Sequence, residues 1–475
     1  MMKHSLVYIR RIPLLLLFVQ SMQLYAQTKN DRAVDEMINA SRAGASPLVF
    51  AGDEKKAVTA IDSFDEPKET TVRGGLPNFF QKINNRQPVT VGYIGGSITQ
   101  AVLGYRTQSA NFIQSLIPET PVRFLNAGVS GTGTDLAACR LHDQLLVHQP
   151  DLIFIEFAVN GAYRQGLEGM IRQIIRNNPR TDICIVYTVI TGQPAIYANG
   201  EMPENIKGFE TVAQYYQLPS IHLAMQAAQL EKEHKLLWKG AVSSEGQILF
   251  SNDGVHPLEA GGDLYAAAIA RGLKKMRDVL INSTHHLPEP MFADNWEDAK
   301  MIDPAEAVTF SKGWKKLITS ENPQLKQFNN WFSYVMQTEK PGSSFSFKFN
   351  GTMFGFYDLG GPEVGQVTIE VDGKPLTLQE KSEKGFRYYK ITEENGTNLI
   401  NRFNVFCNNR YRGQYEFIET GPGEHLVKVT LSSARSDKSK ILGPGQQGDI
   451  SQNPEKYDRS VMYLGKILLR GELIK

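Results

Sequence analysis

From residue 89 onward, short and nearly continuous apolar runs alternate with segments whose apolar positions recur every three to four residues. Residues 89–94, 122–127, 152–158 and 182–189 are the runs, each rich in β-formers, and such strands suit a parallel sheet buried on both faces. Helices are predicted between them at 110–116, 134–147 and 167–177, with a last one at 259–280. In the second of these, Leu136, Cys139, Leu145 and Leu146 mark one face. Strand and helix alternating at this spacing means an open α/β sandwich, in which ligands bind at the carboxyl ends of the strands. Near residue 300 the period changes to two. Residues 344–349 alternate polar and apolar; 367–371 end at Asp372-Gly373, a hairpin signal; 426–431 and 466–469 continue the pattern. A β-sandwich of the jelly-roll kind is expected there.

The N-terminus follows a different rule. Lys3, His4, Arg10 and Arg11 precede the apolar run 12–19, and Leu24-Tyr25-Ala26 offers a small-residue cleavage site. This is the pattern of a secretory signal peptide, too short to span a bilayer as a helix. The expected organisation is a signal peptide at 1–26, a lead-in at 27–71 with a helix at 31–43 and a strand at 46–51, an α/β domain at 72–284, a linker at 285–305 and a β-sandwich domain at 306–475. The mature chain is expected outside the cytoplasm, periplasmic or extracellular, with no integral membrane segment.

Composition narrows the partners. Lys and Arg total 51 against 50 Asp and Glu, a net charge of +1, so nothing favours nucleic acid as a partner. Lys274-Lys275 reads as the solvated end of a helix. The three cysteines, Cys139, Cys184 and Cys407, cannot build a disulfide framework; buried free thiols are expected, with one bridge left open.

Four short segments carry candidate chemistry. Gly95-Gly96-Ser97-Ile98-Thr99 follows the first strand, where a sharp turn would expose a serine hydroxyl as a nucleophile. It is not the G-x-S-x-G elbow, because Thr99 stands where that motif needs glycine. The glycine-rich loop 126–134 follows the second strand and presents backbone N–H groups, without the lysine of a phosphate loop. Asn160 ends the third strand segment and offers an amide donor. Asp253-Gly254-Val255-His256 precedes the last helix, a spacing that lets the carboxylate orient the imidazole. Alone, each is also what an ordinary turn or cap would use. In this order, each after a strand, they point to one pocket.

The constellation resembles the SGNH hydrolases, also called GDSL esterases, in the G-G-S-I-T variant that carries a C-terminal β-sandwich. The resemblance covers residues 72–284 and implies a three-layer α/β/α, flavodoxin-like domain. It implies Ser97 as nucleophile, Asp253 and His256 as orienter and base, and an oxyanion hole from the Ser97 and Gly131 N–H groups and the Asn160 side chain. Two departures stand out: Gly96 replaces the usual Asp of the first block, and Gly161 replaces the acid that often follows the asparagine. The second is expected to loosen the loop carrying Asn160. The implied activity is esterase, with an acylated carbohydrate as substrate and acetyl as the favoured group, needing neither cofactor nor metal. A lipase, lysophospholipase or thioesterase is the rival enzyme, and a non-catalytic glycan-binding protein the rival of another class.

Other residues weigh less. His285-His286 lack ligands at metal spacing, His142 and His148 read as surface or cap residues, and Glu156 as a buried, hydrogen-bonded acid. Trp314, Trp331, Tyr334, Phe354, Phe356 and Tyr357 are expected mainly in the core, with sugar stacking as their alternative use.

Overall fold

The computed structural model describes residues 37, 48–52, 62–279 and 284–475. The signal-peptide segment, nearly all of the 31–43 helix and the last residue of the 259–280 helix lie outside the described residues.

The apolar runs form the expected sheet. Its strands are β1 (Val49–Phe50), β2 (Thr70–Thr71), β3 (Thr90–Gly95), β4 (Arg123–Gly128), β5 (Leu152–Glu156), β6 (Asp182–Tyr187) and β7 (Ser220–His222), in the order β1-β4-β3-β5-β6-β7-β2. The five inner strands run parallel, and the two-residue strands β1 and β2 close the edges antiparallel. The chain leaves β3 to form β4 on one side, then returns to form β5 on the other. That reversal opens the crevice where ligands bind in such sheets.

Helices pack in two groups. Arg106–Ser115 lies against Glu259–Met276, and Thr134–Gln144 lies against Arg164–Asn177. Arg164–Asn177 buries Leu167, Met170, Ile171, Ile174 and Ile175, the spacing of one face. Thr134–Gln144 is instead buried nearly all round, from Thr134 through Leu141, because it lies between the parallel sheet and the C-terminal half of the chain. Its helix stops earlier than its hydrophobic pattern, at Gln144, where the chain tightens into a 3-10 turn and Gln149 takes a left-handed φ of 50°. β5 and β6 likewise end before their apolar runs do, because residues 157–160 and 188 turn into the crevice. Between Thr188 and Asp253 the structure adds the helices Gln193–Ala198, Glu204–Tyr215 and Met225–Lys232, β7, and the small parallel pair Leu236–Lys239 and Ile248–Ser251.

The C-terminal half is one 12-stranded, almost wholly antiparallel sheet curled on itself. Its spine is formed by Ser344–Gly360, Arg412–Leu431 and Met462–Ile474, with Met462–Ile474 held between Ser344–Gly360 and Tyr334–Thr338. Asp372-Gly373 forms the expected tight turn, both residues at positive φ. Alternation sorts the side chains of the long strands to two faces. Phe345, Phe347, Phe349, Phe354 and Phe356 fill a core inside the curl. Met353, Tyr357 and Leu359 point the other way and join Phe386, Phe417 and Leu468 in a core continuous with the α/β domain. Residues 285–298 cross between the halves as a docked strap. His285 Nε2 meets Asp182 Oδ1 at 2.9 Å, Glu168 accepts from the Phe292 amide at 2.8 Å, and Trp296 is fully buried over Gly169.

Cys139, Cys184 and Cys407 are free and buried. Lys274 and Lys275 are exposed, as expected of a helix end.

Candidate active site

Ser97 is the first residue of the short helix Ser97–Gln100, directly after β3. Its Oγ lies 2.7 Å from His256 Nε2, and His256 Nδ1 lies 2.6 Å from Asp253 Oδ2. The other carboxylate oxygen accepts from the Val255 and His256 amides, each at 2.9 Å, and from Ser251 Oγ at 3.0 Å. Partial burial raises the Asp253 carboxyl, but the bonds from the His256 ring, the two amides and Ser251 outweigh it and hold the group well below the usual carboxylate range. A carboxylate so held keeps its charge at the imidazole that it orients. Gly254 makes the bend at a φ of 85°. Its carbonyl accepts from Trp238 Nε1 and the Thr191 amide, so the loop is fastened to two further segments.

Beneath Ser97 lies Glu156, the last residue of β5 and fully buried. It accepts from Thr99 Oγ1 and Thr188 Oγ1 and from the Gly96 and Thr99 amides. Burial raises its carboxyl above the ordinary value despite those donors. Glu156 thus supports the turn from below rather than facing the crevice.

Asn160 closes the crevice from the β5 side. Its side chain packs on Gly96 so closely that a Cβ there would stand 2.4 Å from its Oδ1. In this chain the position therefore has no room for a side chain. Asn160 Oδ1 is buried with no hydrogen-bond partner among the described residues. Gly161 differs from what its sequence suggested. It has a φ of 82°, and a Cβ on it would come within 2.1 Å of the Gly385 carbonyl oxygen. The missing acid therefore leaves no slack: the C-terminal half fills its place, and Asn205 Nδ2 ties the loop again at the Ala158 carbonyl, 2.7 Å away.

A cavity of about 550 Å³ opens beside these residues, lined by Gly131, Asp135 and Asn160 on one side and by Phe406, Arg412 and Tyr415 on the other. Tyr415 donates to Asp135 Oδ2 at 2.7 Å across the seam, and burial, opposed by that bond, pushes the Asp135 carboxyl up to about 6. Gly131 is exposed at the rim with a φ of 72°. A pocket of this size, at strand ends and between two layers, is in the range of ordinary ligand sites. Residues 93–264 match the model of the GDSL-like lipase/acylhydrolase family.

The α/β domain belongs to that family.

The GDSL-like domain places the chain among the carboxylic-ester hydrolases. Among solved structures the chain is similar to a two-domain esterase active on acetylated mannans, co-crystallised with mannopentaose, at 18% identity and a TM-score of 0.60, over 86% of this chain and 98% of that one. A second structure of a two-domain esterase active on acetylated mannans matches at 18% and 0.59, over 85% and 98%. At this identity the likeness is one of fold, and it extends across both halves. An acetylxylan esterase from Geobacillus stearothermophilus aligns at 17% identity with a TM-score of 0.30, over 39% of this chain and 94% of that one. No curated protein matches the sequence.

Of the residues singled out from the GDSL-like blocks, Ser97, His256 and Asp253 are joined by hydrogen bonds, Asn160 packs on Gly96 beside Ser97, and Gly131 lines the cavity with Asn160. His285 is paired with Asp182, and His142 is exposed. Of the six aromatics named for the second half, five are buried and Trp314 half-buried, all as packing. Of the aromatics lining the cavity, Phe406 is the exposed one, at 54%. It, Arg412 and the fastening residues Thr191, Trp238 and Ser251 escaped the sequence reading. None lies in a family block or a periodic face, and only Asn404, which caps the turn Val405–Cys407, marks the local structure.

Proposed function

We propose that the protein is an exported serine esterase that removes O-acyl groups, acetyl foremost, from a carbohydrate. The observation that carries this reading is the unbroken chain of hydrogen bonds from Asp253 through His256 to Ser97, which follows the Gly96 that the cavity-lining Asn160 packs against. His256 Nε2 takes the proton of Ser97 Oγ as that oxygen attacks the ester carbonyl. The Ser97 and Gly131 N–H groups and the Asn160 side-chain N–H hold the tetrahedral oxyanion. His256 then gives its proton to the departing alcohol, and water repeats the sequence on the acyl-enzyme to release the acid. Export rests on the basic, apolar and small-residue pattern of residues 1–26.

Carbohydrate is favoured over lipid by the cavity lining, which carries Arg387, Asn404, Arg412 and Gln414 where an acyl chain would need an apolar channel. The test is hydrolysis of nitrophenyl esters from acetyl to dodecanoyl by the wild type and by Ser97→Ala. Turnover is expected to be highest on acetate and to fall about 10⁴-fold or more in the variant, with its melting temperature unchanged. Preference for long chains would transfer the reading to lipids, and undiminished turnover in Ser97→Ala would end it.

A further inference from the structure

The far wall of the cavity holds a charge that ester hydrolysis alone does not employ. Arg412 Nη2 stands 3.5 Å from where a Cβ on Gly131 would be, so its guanidinium neighbours the glycine assigned above to the oxyanion. No carboxylate pairs with it among the described residues. Its side chain makes one long hydrogen bond, 3.4 Å from Nε to the Gly413 carbonyl.

The charges around it are already matched. Arg402 is held by Asp358 and Glu416, and Arg387 by Glu416. Asp135, the one acidic residue in the lining, accepts from Tyr415 and feels Arg140 in the interior behind it. Arg412 is left over. Burial pulls its pKa below the ordinary value, which means that the protein solvates this cation poorly. The guanidinium lies over the Phe406 ring, 4.7 Å from the centroid, a stacking that leaves its in-plane N–H groups free for a planar anion. Phe406 itself offers exposed apolar surface of the kind on which the carbon face of a sugar ring rests.

We propose that Arg412 selects a carboxylate-bearing sugar, so that the substrate is an acylated acidic glycan with a uronate at or beside the ester-bearing ring. A carboxylate supplies the paired acceptors that match the guanidinium fork and neutralises the one uncompensated charge of the pocket. A neutral glycan would leave that charge unmatched. The inference rests on the esterase reading above and names its substrate class.

The test measures kcat/KM for acetate release from O-acetylated oligogalacturonate and oligoglucuronate, each beside its carboxyl-reduced counterpart, with nitrophenyl acetate assayed in parallel. The wild type should favour the acidic member of at least one pair by roughly 10- to 100-fold, the size of a hydrogen bond to a charged group. Arg412→Gln should bring that ratio to near one, and Arg412→Lys, which keeps the charge without the fork, should retain part of it. Parity in both pairs for the wild type, no release from either acidic substrate by an enzyme that cleaves nitrophenyl acetate, or a preference that survives Arg412→Gln would overturn the inference while leaving the esterase standing. Failure on every ester, nitrophenyl acetate included, would remove the esterase reading itself.

Discussion

The two walls of the cavity are built on different principles. On the α/β side each functional group stands at the end of a parallel strand, and each is held by bonds within its own layer: Asp253 by its loop, Ser97 by Glu156 beneath it, Asn160 by its packing on Gly96. On the other side, Phe406, Arg412 and Tyr415 come from a curled antiparallel sheet and reach the site only because the halves share one core. On the proposed reading the first wall supplies the chemistry and the second the selectivity, from about 280 residues away in sequence.

Three substitutions probe that division. The largest effect is expected at the first wall: Asn160→Ala should lower kcat on nitrophenyl acetate and on glycan esters alike, by about 10²–10³-fold, read by steady-state kinetics. Equal loss on both substrates fits a group that meets the carbonyl, whereas a loss confined to the glycan would move Asn160 to the second wall. Next is Gly161→Ala at the seam, where the new Cβ meets the Gly385 carbonyl at a φ of 82°. It should cost about 1–3 kcal/mol of stability by denaturant titration and impair glycan turnover more than nitrophenyl acetate turnover. Full stability in this variant would mean that the walls are less tightly joined than their contacts indicate.

The third concerns Asp135 on the same seam. Its carboxyl keeps a proton to about pH 6 in the fold, chiefly through burial, while an unfolded aspartate releases it near 4. The stability contribution of this group is therefore full below about pH 4 and is lost as the pH rises through 6. Asp135→Asn suffers no such loss. Its melting temperature should gain on that of the wild type between those pH values and hold a constant lead above them, worth roughly 2–3 kcal/mol. A difference that does not vary with pH would show that the Asp135 carboxyl titrates alike in the folded and the unfolded chain.

The same contrast governs what could be read without coordinates. The parallel strands were legible because burial on both faces makes them continuous apolar runs, and Ser97, Asn160, Asp253 and His256 could be singled out because strand ends are where such a sheet gathers its ligands, whereas Gly131 was singled out within its loop only through the family resemblance. Asp253 and His256 also lie three residues apart, so their pairing needs no tertiary knowledge. The segment 190–251 was harder to read, since its elements are short, although Ile206, Phe209 and Val212 do mark one face of the helix Glu204–Tyr215. Gly161 misled for a physical reason: a glycine signals either freedom or close approach, and only the partner surface at Gly385 tells which. In the second half, alternation revealed strands but not which face meets the α/β domain. Tyr357 and Phe356 are neighbours in sequence and belong to different cores.

The position of Met462–Ile474 has a consequence for how the protein is made. This strand is threaded between two others, and it also pairs with Ala299–Ile302, on the opposite margin of the strap. In a nascent chain, which emerges N-terminus first, Ser97 and His256 leave the ribosome or a translocation pore long before these residues do. The sheet that carries Arg412 cannot close until they do. In a chain still lacking those residues the wall that carries Arg412 is unfinished, and the face of Thr134–Gln144 that packs against the C-terminal half lies open to water or to a chaperone.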